Sequence, residues 1–358
     1  MLKVGGLELD FPVVQAALSG YSDVAMRRIA RRHGAVLTFD QAVLDQIVLT
    51  PGTHQRRLLR VAPDDRPIGG QLMGSDPETI ARASDAMAQA GYDVIDINLA
   101  CPVRKVLGRG RGGFLLSQPQ RALQIVRAVH GAVAGRCPVA IKVRRGWDDS
   151  AESERHFFEI LDGAFEADVD AAIVHPRTVE QRYVGPSRWE FLGRVKRHVG
   201  DRVVLGTGDL FTARDVGRML DETGVDGVTL ARGCIGNPWL FGECRALLAG
   251  EPIPPPPSVP EQGCTIGQHL AWSLEVHGER RGSRIMRKFG IKYSELHPHH
   301  TQVRDAIVRV SNASQWQAVL DEWYDPKKDW PPPTRRTGPD HLVAAGATNK
   351  TAQSADPS

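Results

Sequence analysis

The residue in this 358-residue chain best suited to move a proton or attack a carbon is a lone cysteine in the segment Asn98-Leu99-Ala100-Cys101-Pro102, with Lys105 close behind. A thiol with an unperturbed pKa of about 8.5 is protonated at neutral pH and serves as an acid; nearby cations would instead lower that pKa and make it a nucleophile. The other cysteines, Cys137, Cys234, Cys244 and Cys264, form no CxxC pair, which argues against a disulfide framework, a zinc site or an iron–sulfur cluster. Cys137, Cys244 and Cys264 read as small buried hydrophobes.

A second candidate is Lys142, near the end of the apolar run 138-PVAIKVR-144. A lysine among β-branched neighbours needs an anionic partner, which here is either a carboxylate such as Asp96 or a bound cofactor. His175 closes the run 171-AAIVH-175, in position for a ligand contact. Two glycine-bearing segments, 206-GTGD-209 and 232-RGCIGNPWLF-241, have the backbone N–H groups to take a phosphate, and Arg232 adds a fixed fork of donors. The run His297-Pro298-His299-His300 is broken by proline and has no cysteine or carboxylate at ligand spacing, so it reads as a turn between helices and no metal is expected.

Elements that position these residues follow from the apolar pattern. Short β-branched runs recur at 12–18, 35–40, 67–73, 93–98, 138–144, 171–175, 202–207 and 226–231, and helical spacing fills most of the intervals, as in 77-PETIARASDAMAQAG-91. Eight strand-then-helix units predict an α/β fold, a (β/α)8 TIM barrel. A doubly wound sheet is the rival, but no GxGxxG follows any run. In a barrel the chemistry lies at the C-terminal strand ends, and that is where Cys101, Lys142, His175, Gly208-Asp209 and Arg232-Gly233 fall.

Past the barrel, 251-EPIPPPPSVP-260 is too rich in proline for helix or central strand. Residues 264–324 return to helical spacing. The expected organisation is a barrel domain over 1–248, a linker over 249–263, a small all-α domain over 264–324 and a disordered tail over 325–358. Hydrophobic residues at 41% exclude a disordered chain as a whole. No run approaches the roughly 18 apolar residues of a membrane span and the first residues lack a signal peptide's apolar core, so a soluble, cytoplasmic protein with no membrane partner is expected. The net charge of +3 is small, but its cations cluster. Helical spacing puts Arg280, Arg284, Arg287 and Lys288 on one face, and Arg104, Lys105, Arg109 and Arg111 follow the fourth strand, together a track for folded RNA.

Taken together, 71-QLMGSDPE-78, 95-IDINLACPVRKV-106, 141-IKVRRGWDD-149, 175-HPRTVEQRYVGPSRW-189, 225-VDGVTLARGCIGNPWLF-241 and 284-RIMRKFGIKYSEL-296 resemble the tRNA-dihydrouridine synthases. These are flavin-dependent TIM barrels with a C-terminal helical RNA-binding domain, and the resemblance runs from about residue 12 to 324. It implies reduction of the C5=C6 bond of uridines in tRNA, with FMN as cofactor and NADPH as electron donor; separately, a monomer is expected. It makes Cys101 the acid that protonates C5. Ala17, Leu18, Ser19, Gln71, Lys142, His175, Thr207, Gly208, Asp209, Ala231, Arg232 and Gly233 become the FMN contacts. Asn98, Lys105, Arg144, Arg177, Arg284, Arg287 and Lys288 become the tRNA contacts. The chain departs from the family pattern at Ala17-Leu18-Ser19, Ala100, Pro176 and Thr207. A small-molecule flavin reductase and a flavin-free RNA-binding barrel are the alternatives.

Overall fold

A computed structural model of the chain describes residues 1–336; the expected tail from 337 to 358 lies outside the described residues. Eight parallel strands form a closed ring: β1 (Val13–Gln15), β2 (Thr38–Phe39), β3 (Ile68–Met73), β4 (Val94–Leu99), β5 (Val139–Arg144), β6 (Ala171–His175), β7 (Val203–Gly206) and β8 (Gly227–Leu230). The ring closes where Val228 of β8 pairs with Val13 of β1. Each strand lies within, or extends one residue beyond, the run expected for it, and the fold is a TIM barrel. A two-residue strand, Val43–Leu44, adds to the outer end of β3.

The chain divides into two compact units. The first comprises residues 1–208 and 216–231 and contains all eight strands; the second comprises 209–215 and the described residues from 232 on. In the first unit the two-residue strand period sorts side chains into layers. Val14, Phe39, Val94, Ala140, Ile173 and Leu205 form one apolar cluster, and residues of the same parity further along their strands, Asp96, Asn98, Lys142, His175 and Thr207, form a polar layer toward the C-terminal ends. The antiparallel hairpin Leu2–Val4 and Leu7–Leu9 adds Leu2, Val4 and Leu9 to the apolar cluster and covers the opposite end.

Helices begin where local chemistry starts them. Asp23, Asp76 and Ser150 accept backbone N–H groups at the starts of Val24–Arg32, Pro77–Gln89 and Ala151–Glu166, and Pro77 supplies a pre-set φ. Gly91, in the left-handed region at φ 95°, turns the chain from Pro77–Gln89 into β4.

The second unit holds Leu240–Leu248, Val259–His277, Glu279–Tyr293, His300–Ile307 and Ala313–Trp323. Two boundaries differ from expectation. The unit takes in Arg232 onward rather than starting after 248, because Gly236 packs on the backbone of Lys292 and Trp239 meets Tyr293 edge to face, 6.2 Å between centroids. Its long helix begins at Val259, five residues before 264, because Ser258 and Glu261 form a reciprocal capping box with a proline in the first turn. The stretch 325–336 is not loose. Trp330 donates to the Asp325 carbonyl (2.9 Å) and packs on His297, and the Thr334 N–H reaches the Leu296 carbonyl (2.9 Å).

Cys244 is buried as expected, whereas Cys137 is half-buried and Cys264 exposed. Cys264 stands two positions, about 200° of helix, from the buried Gln262, so it turns away from the packed face. The His297 ring is buried and committed to its neighbours: one nitrogen bonds the Trp323 carbonyl (2.7 Å) and the other accepts the His299 N–H (3.0 Å). Burial pushes its pKa down to about 4, and the segment joins the short turn Ser294–Leu296 to the helix His300–Ile307. Among the described residues no group of three or more His, Cys, Asp or Glu side chains is placed to hold a metal ion, and no helix is long and apolar enough to cross a membrane.

Candidate active site

Three adjacent strands build the centre of the polar layer in the first unit. Gln71 pairs in register with Asp96, and Asn98 with Lys142. Side chains then link across the strands: Gln71 Nε2 donates to Asp96 Oδ2 and Asn98 Nδ2 donates to Gln71 Oε1, both at 2.6 Å. Asn98 turns its own oxygen to the backbone N–H groups of Ala100 and Cys101, at 3.0 Å each. One asparagine therefore couples the buried layer to the loop that bears the thiol.

Asp96 is fully buried and its Oδ1 has no hydrogen-bond partner. Desolvation pushes its pKa up to about 6, against the pull of Gln71 and Lys142. Desolvation likewise lowers Lys142 to about 8, opposed by Asp96 and assisted by Arg144. The two groups sense each other's charge without forming a close ion pair, so Asp96 is a neighbour of Lys142 but not a direct salt-bridge partner.

A pH test of folding stability follows. Because folding raises the Asp96 pKa above the unfolded value of about 3.9, the native state binds this proton more tightly, and the ionised carboxyl progressively destabilises the fold between pH 4 and 6. Asp96→Asn removes that loss. The difference in urea midpoint, variant minus wild type, should rise through this window; parallel profiles would show that burial does not hold the proton.

Cys101 sits just beyond β4, half-buried, and burial raises its thiol pKa against smaller lowering effects of the Val103 N–H and Arg144. The thiol is therefore kept protonated, and of the acid and nucleophile readings the environment supports the acid. Two glycines make room for it. A Cβ on Gly112, which has φ 57°, would lie 2.9 Å from the Cys101 Cβ, and the Gly113 N–H holds the Cys101 carbonyl at 3.0 Å. Neither glycine was singled out from sequence, although the GG pair at a strand-end loop was a usable signal.

His175, at the end of β6, accepts the Arg177 N–H at Nδ1 (3.2 Å). Gly208 comes close beside it: an added Cβ would lie 3.3 Å from the His175 ring and 2.3 Å from Ser187 Oγ. The Thr207 hydroxyl is spent on the Thr229 carbonyl (2.9 Å). The first loop turns at Leu18, whose carbonyl accepts from Tyr21 and Ser22, with Ala17 half-buried and Ser19 exposed. Ala231 follows β8 directly and is half-buried.

Several arginines expected to face a substrate are bracing residues. Arg144 is buried and donates to the carbonyls of Ala100 (2.9 Å), Thr178 (2.8 Å) and Arg182 (2.8 Å). Arg177 is buried and holds the Gly185 carbonyl. Arg111 is buried facing Asp45 at 3.9 Å, so it leaves the expected exposed track, while Arg104, Lys105 and Arg109 remain on the surface. Arg144 and Arg177 share a physical reason: guanidinium groups with five donors can satisfy loop carbonyls that lack backbone partners, whereas Arg111 answers a buried carboxylate.

In the second unit Asp209, in the left-handed region at φ 55°, faces Arg232 at 3.2 Å, and Arg232 also lies over the Phe211 ring. Gly233 packs so tightly that a Cβ would fall 2.1 Å from the Leu210 carbonyl oxygen. On the helix Glu279–Tyr293, Arg280, Arg281 and Arg284 are exposed, whereas Arg287 and Lys288 are half-buried, Arg287 on the Val308 carbonyl (3.3 Å) and Lys288 over Phe289.

A closed parallel barrel whose polar groups converge at the strand ends defines a TIM-barrel enzyme. The family model for dihydrouridine synthase (Dus) matches residues 14–326, and the chain belongs to that family. It is 35% identical over 330 residues to a probable tRNA-dihydrouridine synthase of Mycobacterium tuberculosis (strain ATCC 25618 / H37Rv), covering 89% of this chain and 84% of the relative. It is 32% identical over 326 residues to probable tRNA-dihydrouridine synthase 1 of Synechocystis sp. (strain ATCC 27184 / PCC 6803 / Kazusa), covering 90% and 88%. Solved structures share the barrel at low identity. A 2-naphthoyl-CoA reductase complex has a TM-score of 0.55 at 12% identity, covering 70% of this chain and 52% of that one. Morphinone reductase in complex with tetrahydroNAD has a TM-score of 0.52 at 16% identity, covering 71% and 91%.

Proposed function

We propose that the chain is an FMN-dependent tRNA-dihydrouridine synthase that takes its electrons from NADPH and works as a cytoplasmic monomer. The observation that carries the chemistry is a half-buried thiol, Cys101, whose pKa burial raises, tied through Asn98 to a buried layer of Gln71, Asp96 and Lys142. That layer fits a flavin: it offers an amide and a cation, and the unpartnered Oδ1 of Asp96 leaves polar capacity that the protein does not use. Saturating a conjugated C=C requires hydride at one carbon and a proton at the other. Reduced FMN, when bound, supplies the hydride to C6 of uracil.

The protein's own part is positioning and the proton. Gln71, Lys142 and His175 hold the flavin ring, Lys142 as the cation beside it. Ala17, Leu18, Ser19, Thr207 and Ala231 line the ring and ribityl chain, and Gly208, Asp209, Arg232 and Gly233 take the phosphate. Cys101 gives its proton to C5, and Asn98 keeps the loop that carries the thiol in place. Arg144 and Arg177 serve the tRNA indirectly, by bracing loops. Lys105, Arg284, Arg287 and Lys288 neutralise phosphates, so binding weakens as salt rises. A stacked uracil has to leave the tRNA body to reach the thiol.

The test is to reduce the purified protein, mix it with unmodified tRNA and measure nucleosides by mass spectrometry. Dihydrouridine is expected, with turnover that falls with salt. Absence of product, or salt-insensitive turnover of a free pyrimidine with no tRNA binding, would overturn the reading, the latter in favour of a small-molecule reductase.

A further inference from the structure

We infer that Arg336 is a positioning residue for the turn that holds the flavin phosphate; this rests on the assignment of Arg232 and Gly233 to that phosphate. Arg336 lies ten residues past the end of the family match, in the stretch whose composition reads as tail. Its side chain is only 8% exposed. Nη1 donates to the carbonyls of Arg232 (3.4 Å) and Gly233 (3.1 Å), and Nη2 to those of Ile235 (3.2 Å) and Lys292 (3.3 Å). Glu295 Oε2 faces Nη2 at 2.7 Å and its other oxygen takes Lys292 Nζ at 2.8 Å.

One guanidinium thus bonds three of the four carbonyls from Arg232 to Ile235. In the short helical turn Arg232–Cys234 the carbonyls of Arg232 and Cys234 take the N–H groups of Ile235 and Asn237 at 3.3 Å each, and Arg336 adds a donor to Arg232 and supplies those that Gly233 and Ile235 accept, a fixed cation placed where the negative ends of these carbonyls gather. From the other side Leu210 leaves no space beyond Gly233. The turn is held between a backbone it cannot approach further and a cation it cannot leave without burying unpaired carbonyls. A shift of the turn would carry the Arg232 side chain and the Gly233 N–H with it, and these are the groups proposed to meet the phosphate. Neighbouring residues secure the strap: Thr334 bonds Leu296, and Arg335 pairs with Glu243 at 3.2 Å.

The phosphate distinguishes FMN from riboflavin, which separates this role from general stabilisation. In full-length, flavin-stripped protein, dissociation constants for FMN and riboflavin are read from flavin fluorescence. Arg336→Ala should weaken FMN binding about tenfold, the scale of one charge-assisted hydrogen bond, and leave riboflavin binding unchanged. Arg336→Lys, which keeps the charge but not the fork, should restore part of the preference. Equal losses for FMN and riboflavin, or no loss for either, would overturn the inference. Arg232→Ala serves as the reference: if it erases the preference while Arg336→Ala does not, the phosphate assignment stands and the role of Arg336 fails. If Arg232→Ala leaves the preference intact, the assignment itself is wrong.

Discussion

Cys101→Ala should retain its flavin and lose dihydrouridine formation by roughly 10²- to 10⁴-fold, the range that a positioned general acid contributes. The side chain sits in a loop, not in the core, so its removal opens little space and leaves Gln71, Lys142 and His175 where they are. Because burial raises the thiol pKa, the wild-type acid is protonated throughout the neutral range. Its loss on the alkaline side therefore begins above the ordinary thiol value of about 8.5. Cys101→Ser keeps a proton at the same place but one far harder to release, so it should resemble alanine in rate. The measurement is single-turnover oxidation of the reduced protein on mixing with unmodified tRNA. Wild-type rates in Cys101→Ala would remove the thiol from the chemistry and leave the proton source to another group.

The second large effect is on stability. Arg27, on the helix Val24–Arg32, is buried at 3% exposure and gathers the Ser22 carbonyl (2.8 Å), Asp40 Oδ1 (2.7 Å) and both oxygens of Asp65 (3.1 Å). Tyr92 donates to the other oxygen of Asp40 at 3.0 Å. Four separate pieces of the first unit meet at this guanidinium: the turn after β1, the end of β2, the loop before β3 and the start of β4. Arg27→Met fills much the same volume but leaves two carboxylates without their cation. Breaking a buried ion pair from one side costs about 3–5 kcal/mol. The urea midpoint should fall accordingly, and Arg27→Met combined with Asp65→Asn should lose less than the two single changes added together, since the double change removes one uncompensated charge. Additive losses would mean that the network is not coupled.

Both effects depend on features of different legibility. The eight strands were readable because each is a local pattern of β-branched residues bounded by turn formers, and every one forms at or within a residue of the run where that pattern lies. Cys101, Lys142 and His175 were readable as site candidates because a barrel brings all strand ends to one face, which turns a position in sequence into a position in space. Their protonation was not: the same thiol reads as acid or nucleophile until its surroundings show that desolvation outweighs Arg144.

Arginine was the least legible residue type. Arg111 stands in the same loop as exposed Arg104 and Arg109, and Arg144 and Arg177 stand at or just past the ends of other strands of the barrel, all with the same charge and the same donors, yet Arg111, Arg144 and Arg177 are buried in the protein itself. Arg336 makes the point most sharply, since three of the carbonyls it holds lie 101 to 104 residues away along the chain. Strand, helix and turn propensities and the identity of the lone thiol are set by neighbours a few residues apart, and the sequence by itself determined them. Whether a cation serves the fold or a ligand depends on which distant backbone groups lack a partner, and only the tertiary structure decided that.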